Sequence, residues 1–132
     1  MKREIKFRGK RKTDGEWLYG YYFVNRGLHF IVTDGLAPAG NTFHDYEVDP
    51  ETVGQYTGLK DCNGKKIYEG DIMEITETYS NTRIVGTVIY EDDYFFVQSR
   101  NGGCPWGLYW ALREHNAAVI GKIHDNPELL EL

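Results

Sequence analysis

Side chains that could carry chemistry are few in this chain, and their spacing is poor for it. Glu69 and Asp71 stand two apart around Gly70 in "YEGDIMEI". On one strand they would share a face and repel unless one were protonated. Asp71 at a strand start has a simpler use, accepting backbone N–H groups and fixing a turn. The histidines are His29, His44, His115 and His124. A metal needs three or four converging ligands, and no HxH, HxxxH or CxxC spacing offers them. Cys104 in "GGCPWG" is the place to look for a reactive thiol, but a nucleophile needs a neighbouring base, and Pro105 and Trp106 read as the anchors of a packed loop. The expectation is no catalytic residue, no metal site and no cofactor.

Glycines raise a second chemistry. "QYTGLKDCNGKKIYEGDIMEI" holds Gly58, Gly64 and Gly70 six apart. A phosphate loop needs backbone amides converging at a helix N-terminus. Gly70 leads instead into an alternating, β-branched stretch. Asn63 and Gly64 are the preferred pair for a two-residue type I′ turn. The run therefore reads as a hairpin with Asn63 and Gly64 at its tip. Gly58 and Gly70 mark its bends, and Asp71 launches the next strand.

Charge offers the third possibility. "MKREIKFRGKRK" carries Lys2, Arg3, Lys6, Arg8, Lys10, Arg11 and Lys12 against Glu4, a net of +6. The whole chain is at −5, so the rest carries −11. Such a segment can meet phosphates, or it can neutralise an acidic face of its own body or of a sister copy. The second is preferred, because the cations flank a strand-like Ile5 and Phe7. Tyr90, Tyr94 and Phe96, with Phe95, supply aromatics of the kind that stack on nucleic-acid bases. Glu91, Asp92 and Asp93 beside them would repel a phosphate backbone. These seven cations and Tyr90, Tyr94 and Phe96 are the candidate contacts for a partner protein or a nucleic acid.

The elements that must position these residues are mostly strands. Residues 16–24 put Trp17, Tyr19, Tyr21 and Phe23 on one side and Leu18, Tyr22 and Val24 on the other. With residues 28–32 they form a hairpin turning at Gly27. "TDGLAPAGN" is a loop by composition, and "TFHDYEV" reads as a short strand. Asp49 and Pro50 open a single helical turn. "DIMEITETY", "RIVGTVIY" and "YFFVQS" form a meander, with Gly86 as a bulge or sharp bend. "LYWALREHN" fits two turns of helix, "AAVIGKI" a closing strand, and "DNPELLEL" a short terminal helix.

At 132 residues, 41% hydrophobic and 14% aromatic, the chain suits one folded domain, or two very small ones sharing a core. Cys62 and Cys104 are the two cysteines, and no signal peptide or long apolar run is evident. This points to a reduced cytoplasmic protein and no membrane partner.

"QYTGLKDCNGKKIYEGDI", "VIGKIHDNPELLEL" and the opening "IKFRGKRKTDGEWLYGYYF" together resemble the YopX family of bacteriophage and prophage proteins. The resemblance spans both ends and the middle. It implies a small phage-borne cytosolic protein with no established activity, no catalytic residues to carry over, and homo-oligomers. Cys62 and Lys122 depart from the family's usual residues without disturbing the match.

The expectation is a single, mainly β domain over residues 1–132, centred on a small, strongly bent SH3-like antiparallel barrel at about residues 53–123. An N-terminal hairpin region occupies about residues 1–50. One or two short helices lie towards the C-terminus, the last at about residues 126–132. The expected role is non-enzymatic self-assembly and binding of a phage or host protein, with a nucleic-acid-binding barrel as the alternative.

Overall fold

The computed structural model describes residues 4–33, 43–99 and 106–131. Lys2, Arg3, Cys104 and most of "TDGLAPAGN" lie outside them. The chain falls into two compact units, Met1–Tyr56 and Thr57–Leu132.

In the first unit β1 (Phe7–Lys10) pairs with β2 (Trp17–Asn25), and β2 with β3 (Leu28–Thr33), all antiparallel. The β2–β3 hairpin turns on Arg26 and Gly27, with φ of 53° and 76°. Positive φ at both central residues is the type I′ geometry, whose twist matches the strands. Alternation along β2 puts Leu18 and Tyr22 on one face. With Phe7, Ile31, Val48 and Val53 they form this unit's core. "TFHDYEV" does not make the expected strand. Phe43–Tyr46 is a 3₁₀ turn, and only Glu47 and Val48 bridge to Phe30 and Arg11. The turn at Pro50–Thr52 forms as expected, with the Asp49 side chain accepting from Glu51 N–H.

β4 (Gly54–Lys60) runs from the first unit into the second. Its first residues pair with β1, Phe7 opposite Gln55 and Arg8 opposite Gly54. It continues to β5 (Lys66–Tyr68), and the sheet order is β3-β2-β1-β4-β5. A second antiparallel sheet has the order β10-β6-β7-β8-β9. It comprises β6 (Asp71–Thr76), β7 (Arg83–Glu91), β8 (Tyr94–Ser99), β9 (Trp106–Gly107) and β10 (Asn116–Lys122). Helix α1 (Leu108–Glu114) links the last two, and Pro127–Glu131 is a 3₁₀ helix rather than an α-helix. Met73, Ile75, Val88, Val97, Leu108 and Ala117 form the core of this unit with Ile67 and Ala111.

No closed barrel forms among the described residues. The meander of β6, β7 and β8 is as expected, but the chain that would close it goes elsewhere. The beginning of β4 hydrogen-bonds to β1, and β10 and β9 are the edge strands of the second sheet. Gly86 is no bulge either. It stays in register opposite Met73 and Ser99, and a Cβ there would meet the Gln98 carbonyl oxygen at 2.6 Å. The irregularity in this sheet falls in β10, where the register shifts between Val119 and Gly121.

Candidate functional site

The loop around Asn63 and Gly64 is a piece of architecture, and its organiser is Asp61. Asn63 is not among the residues with positive φ, whereas Gly64 is, at 82°. Gly64 N–H donates to Asp61 O, and Asp61 N–H to Lys65 O. This is a three-residue loop ending in a left-handed glycine, in place of the expected type I′ pair. The reason is the Asp61 carboxylate, whose Oδ1 accepts from the N–H groups of Asn63 and Lys65, both at 2.9 Å. That bracing favours the tighter right-handed turn before the glycine.

Asp61 also reaches β10. Its Oδ2 accepts from Val119 N–H at 2.9 Å, and Cys62 N–H donates to Ala117 O. β10 is an edge strand, so its outward N–H and C=O groups need partners; the hairpin tip supplies them. Burial of Asp61 opposes ionisation, but the three backbone donors and nearby Lys65 outweigh it and hold the carboxyl below its ordinary range. Sequence patterning singles out Asn63 and Gly64 and passes over Asp61. An aspartate two residues before Asn-Gly is a legible turn signal; its bond to Val119 is not.

Gly70 and Asp71 launch β6 as expected. Gly70 takes φ of 93°, donates to Val88 O and accepts from Ile123 N–H. Asp71 is buried, and its Oδ2 accepts from Tyr68 N–H at 2.8 Å. Gly58 also takes a positive φ, 85°. The exposed Cys62 thiol is free.

Among its described residues, the basic segment is largely engaged within its own unit. Arg11 binds Asp14 through both carboxylate oxygens, at 3.0 and 2.8 Å, and Glu16 at 2.8 Å. The Arg11 hydrogen bond, with help from Glu16 N–H, lowers the Asp14 carboxyl to about 2. Lys12 pairs with Glu47 at 3.1 Å. Arg8 is buried with its guanidinium 4.8 Å from the Trp17 ring centroid, and the Lys10 ammonium lies 5.6 Å from the same ring. Lys6 is half-buried. Arg11 and Lys12 thus discharge against acidic neighbours, and Arg8 offers no surface charge to a phosphate.

The aromatics of the β7–β8 hairpin do not make one platform. Tyr90 lies opposite Phe95, while Tyr94 lies opposite Glu91 and next but one to Phe96. Strand alternation sends Tyr90 and Phe95 to one face, and Tyr94 and Phe96 to the other. Their ring centroids are 4.9 and 6.0 Å apart within each pair. The turn is Asp92 and Asp93, with φ of 51° and 70°, so the type I′ geometry expected at Asn63 and Gly64 occurs here.

Of the histidines, His29 Nδ1 lies 2.6 Å from the Tyr22 hydroxyl. His115 Nδ1 accepts from Thr78 N–H at 3.3 Å, and its ring packs edge-on to Trp106 and Trp110. Among the described residues no three His, Cys, Asp or Glu side chains gather as a metal site. No helix among them is long and apolar enough to cross a membrane.

Two antiparallel sheets, with a carboxylate-braced hairpin over a sheet edge, define a mainly β class. The family model described as YopX protein matches residues 6–131, and the chain belongs to that family. The chain is similar to the solved protein EF1440 from Enterococcus faecalis, at 26% identity and a TM-score of 0.54, covering 98% of this chain and 99% of that one. It shares its fold with protein yopX from Bacillus subtilis, at 20% identity and a TM-score of 0.61, covering 99% and 98%. No curated protein matches it.

Proposed function

We propose that this chain is a non-enzymatic protein of phage or prophage origin, acting in the bacterial cytoplasm by binding protein surfaces, first of all further copies of itself. One observation carries the reading. One face of the β2–β3 hairpin exposes Tyr21 at 64%, Leu28 at 43% and Phe23 at 37%. Clustered exposed apolar side chains mark interaction surfaces, whereas scattered ones do not. Exposed tyrosine and phenylalanine are the side chains that interface centres favour. The engagement of Arg11 and Lys12 with Asp14, Glu16 and Glu47 supports protein binding over phosphate binding.

The test is molar mass by light scattering during gel filtration, at high micromolar concentration, for the wild type and Tyr21→Ser. An assembly above monomer mass that Tyr21→Ser weakens is the expected result. A strict wild-type monomer would defeat the reading. Labelled single- and double-stranded DNA and RNA at low salt should not bind; tight binding there would install the nucleic-acid alternative.

A further inference from the structure

We infer that copies of this chain dock through unlike surfaces, the β2–β3 hairpin of one against the β7–β8 hairpin of another. This rests on the assembly reading above and names the two surfaces that meet.

The two tips are complementary. At the first, Arg26 is exposed and holds no ion pair among the described residues, with Leu28 beside it and Tyr21 further along the strands. Asn25 is opposite Leu28 and Tyr21 opposite Val32, so Leu28 and Tyr21 share a face. At the second tip, Glu91 and Asp92 are exposed and hold no ion pair among the described residues. Glu91 lies directly opposite Tyr94, which is 66% exposed. One tip therefore presents a cation beside apolar surface, and the other an anion beside an aromatic ring. An arginine can pair with the carboxylate and lie on the ring at once. Tips of the same kind would instead set Arg26 against Arg26, or Glu91 against Glu91, which charge repulsion disfavours. A contact between unlike surfaces is heterologous.

A charge exchange tests the pairing. Arg26→Glu and Glu91→Lys are made singly and together. Glu91 is chosen over Asp92 and Asp93 because those two hold positive φ, which aspartate tolerates better than lysine; Arg26 also holds positive φ, but there glutamate replaces a side chain no better suited to it. Association is followed by light scattering and sedimentation over a concentration series at low salt. Circular dichroism confirms folding, and Arg26→Gln with Glu91→Gln replaces any variant that fails to fold. Each single reversal should weaken association about tenfold or more, and the double reversal should restore it to within about threefold of wild type. Neutral replacements should each weaken it by a few fold, and their combination by no more than either alone. Assembly that ignores the single changes, or single losses that the double exchange leaves unrestored, would overturn the docking while leaving self-assembly standing. A monomeric wild type would overturn both.

Discussion

Replacing Asp61 by asparagine should destabilise the second unit far more than a one-atom change at a hairpin would suggest. The carboxylate accepts three backbone N–H groups, from Asn63, Lys65 and Val119. A hydrogen bond to a charged acceptor contributes about 1.5–3 kcal/mol, and an unsatisfied buried donor costs about 1–3 kcal/mol. An asparagine oxygen could keep the two loop donors, but its amide group would then face Val119 N–H, donor against donor. Asn63 and Lys65 are exposed and can turn to water, so their share is recoverable; Val119 is half-buried. The net loss should be about 2–4 kcal/mol, which lowers Tm on the order of 10 °C for a chain of this size. The effect should depend on pH. The folded carboxyl titrates below its unfolded value, so its contribution is complete above about pH 4 and fades as pH falls through the folded value. Thermal melts by circular dichroism at pH 7 and at pH 3 should show a wide gap between wild type and Asp61→Asn at pH 7 and a narrower one at pH 3. Amide exchange at Val119 should quicken in the variant. Equal melting temperatures at pH 7, within about 2 °C, would refute the bracing argument.

The same geometry gives three further outcomes. Asp14 should titrate near 2 by carboxyl NMR, and Arg11→Gln should move it up towards the ordinary aspartate value of 3.8, because the Arg11 hydrogen bond is the largest cause of its shift; an unmoved Asp14 would break the pairing. Gly86→Ala should cost about 1–3 kcal/mol in denaturant unfolding, since its Cβ would meet a backbone carbonyl that cannot yield cheaply; a neutral result would mean the strands give way there. Asp71→Asn should lower Tm by several degrees, about 1–2 kcal/mol, by weakening the buried bond from Tyr68 N–H, and an unchanged melt would remove Asp71 from the turn.

Local sequence determined the strands and several of their joints. Alternation placed Leu18 and Tyr22 against Trp17, Tyr19, Tyr21 and Phe23, because successive side chains in a strand must point to opposite faces. Gly27, Gly58, Gly64 and Gly70 were readable as bends, because left-handed backbone favours glycine. The run from Gln55 to Ile75 and the C-terminal segment carried the family. Which strands pair over long range was decided only by the tertiary structure. Gly54 and Gln55 pair with β1, and the strands fall into two sheets rather than the expected barrel. The same holds for each candidate contact. Lys12 reads as a free cation until the fold brings Glu47 to it. Tyr90 and Tyr94 read as one stripe until an aspartate turn fixes the register and sends them to opposite faces. Asp61 is passed over in the sequence until β10 brings Val119 N–H to its carboxylate. Propensity and periodicity act over a few residues. The partner of a charge or of a strand edge is set by residues that come near only when the chain has folded.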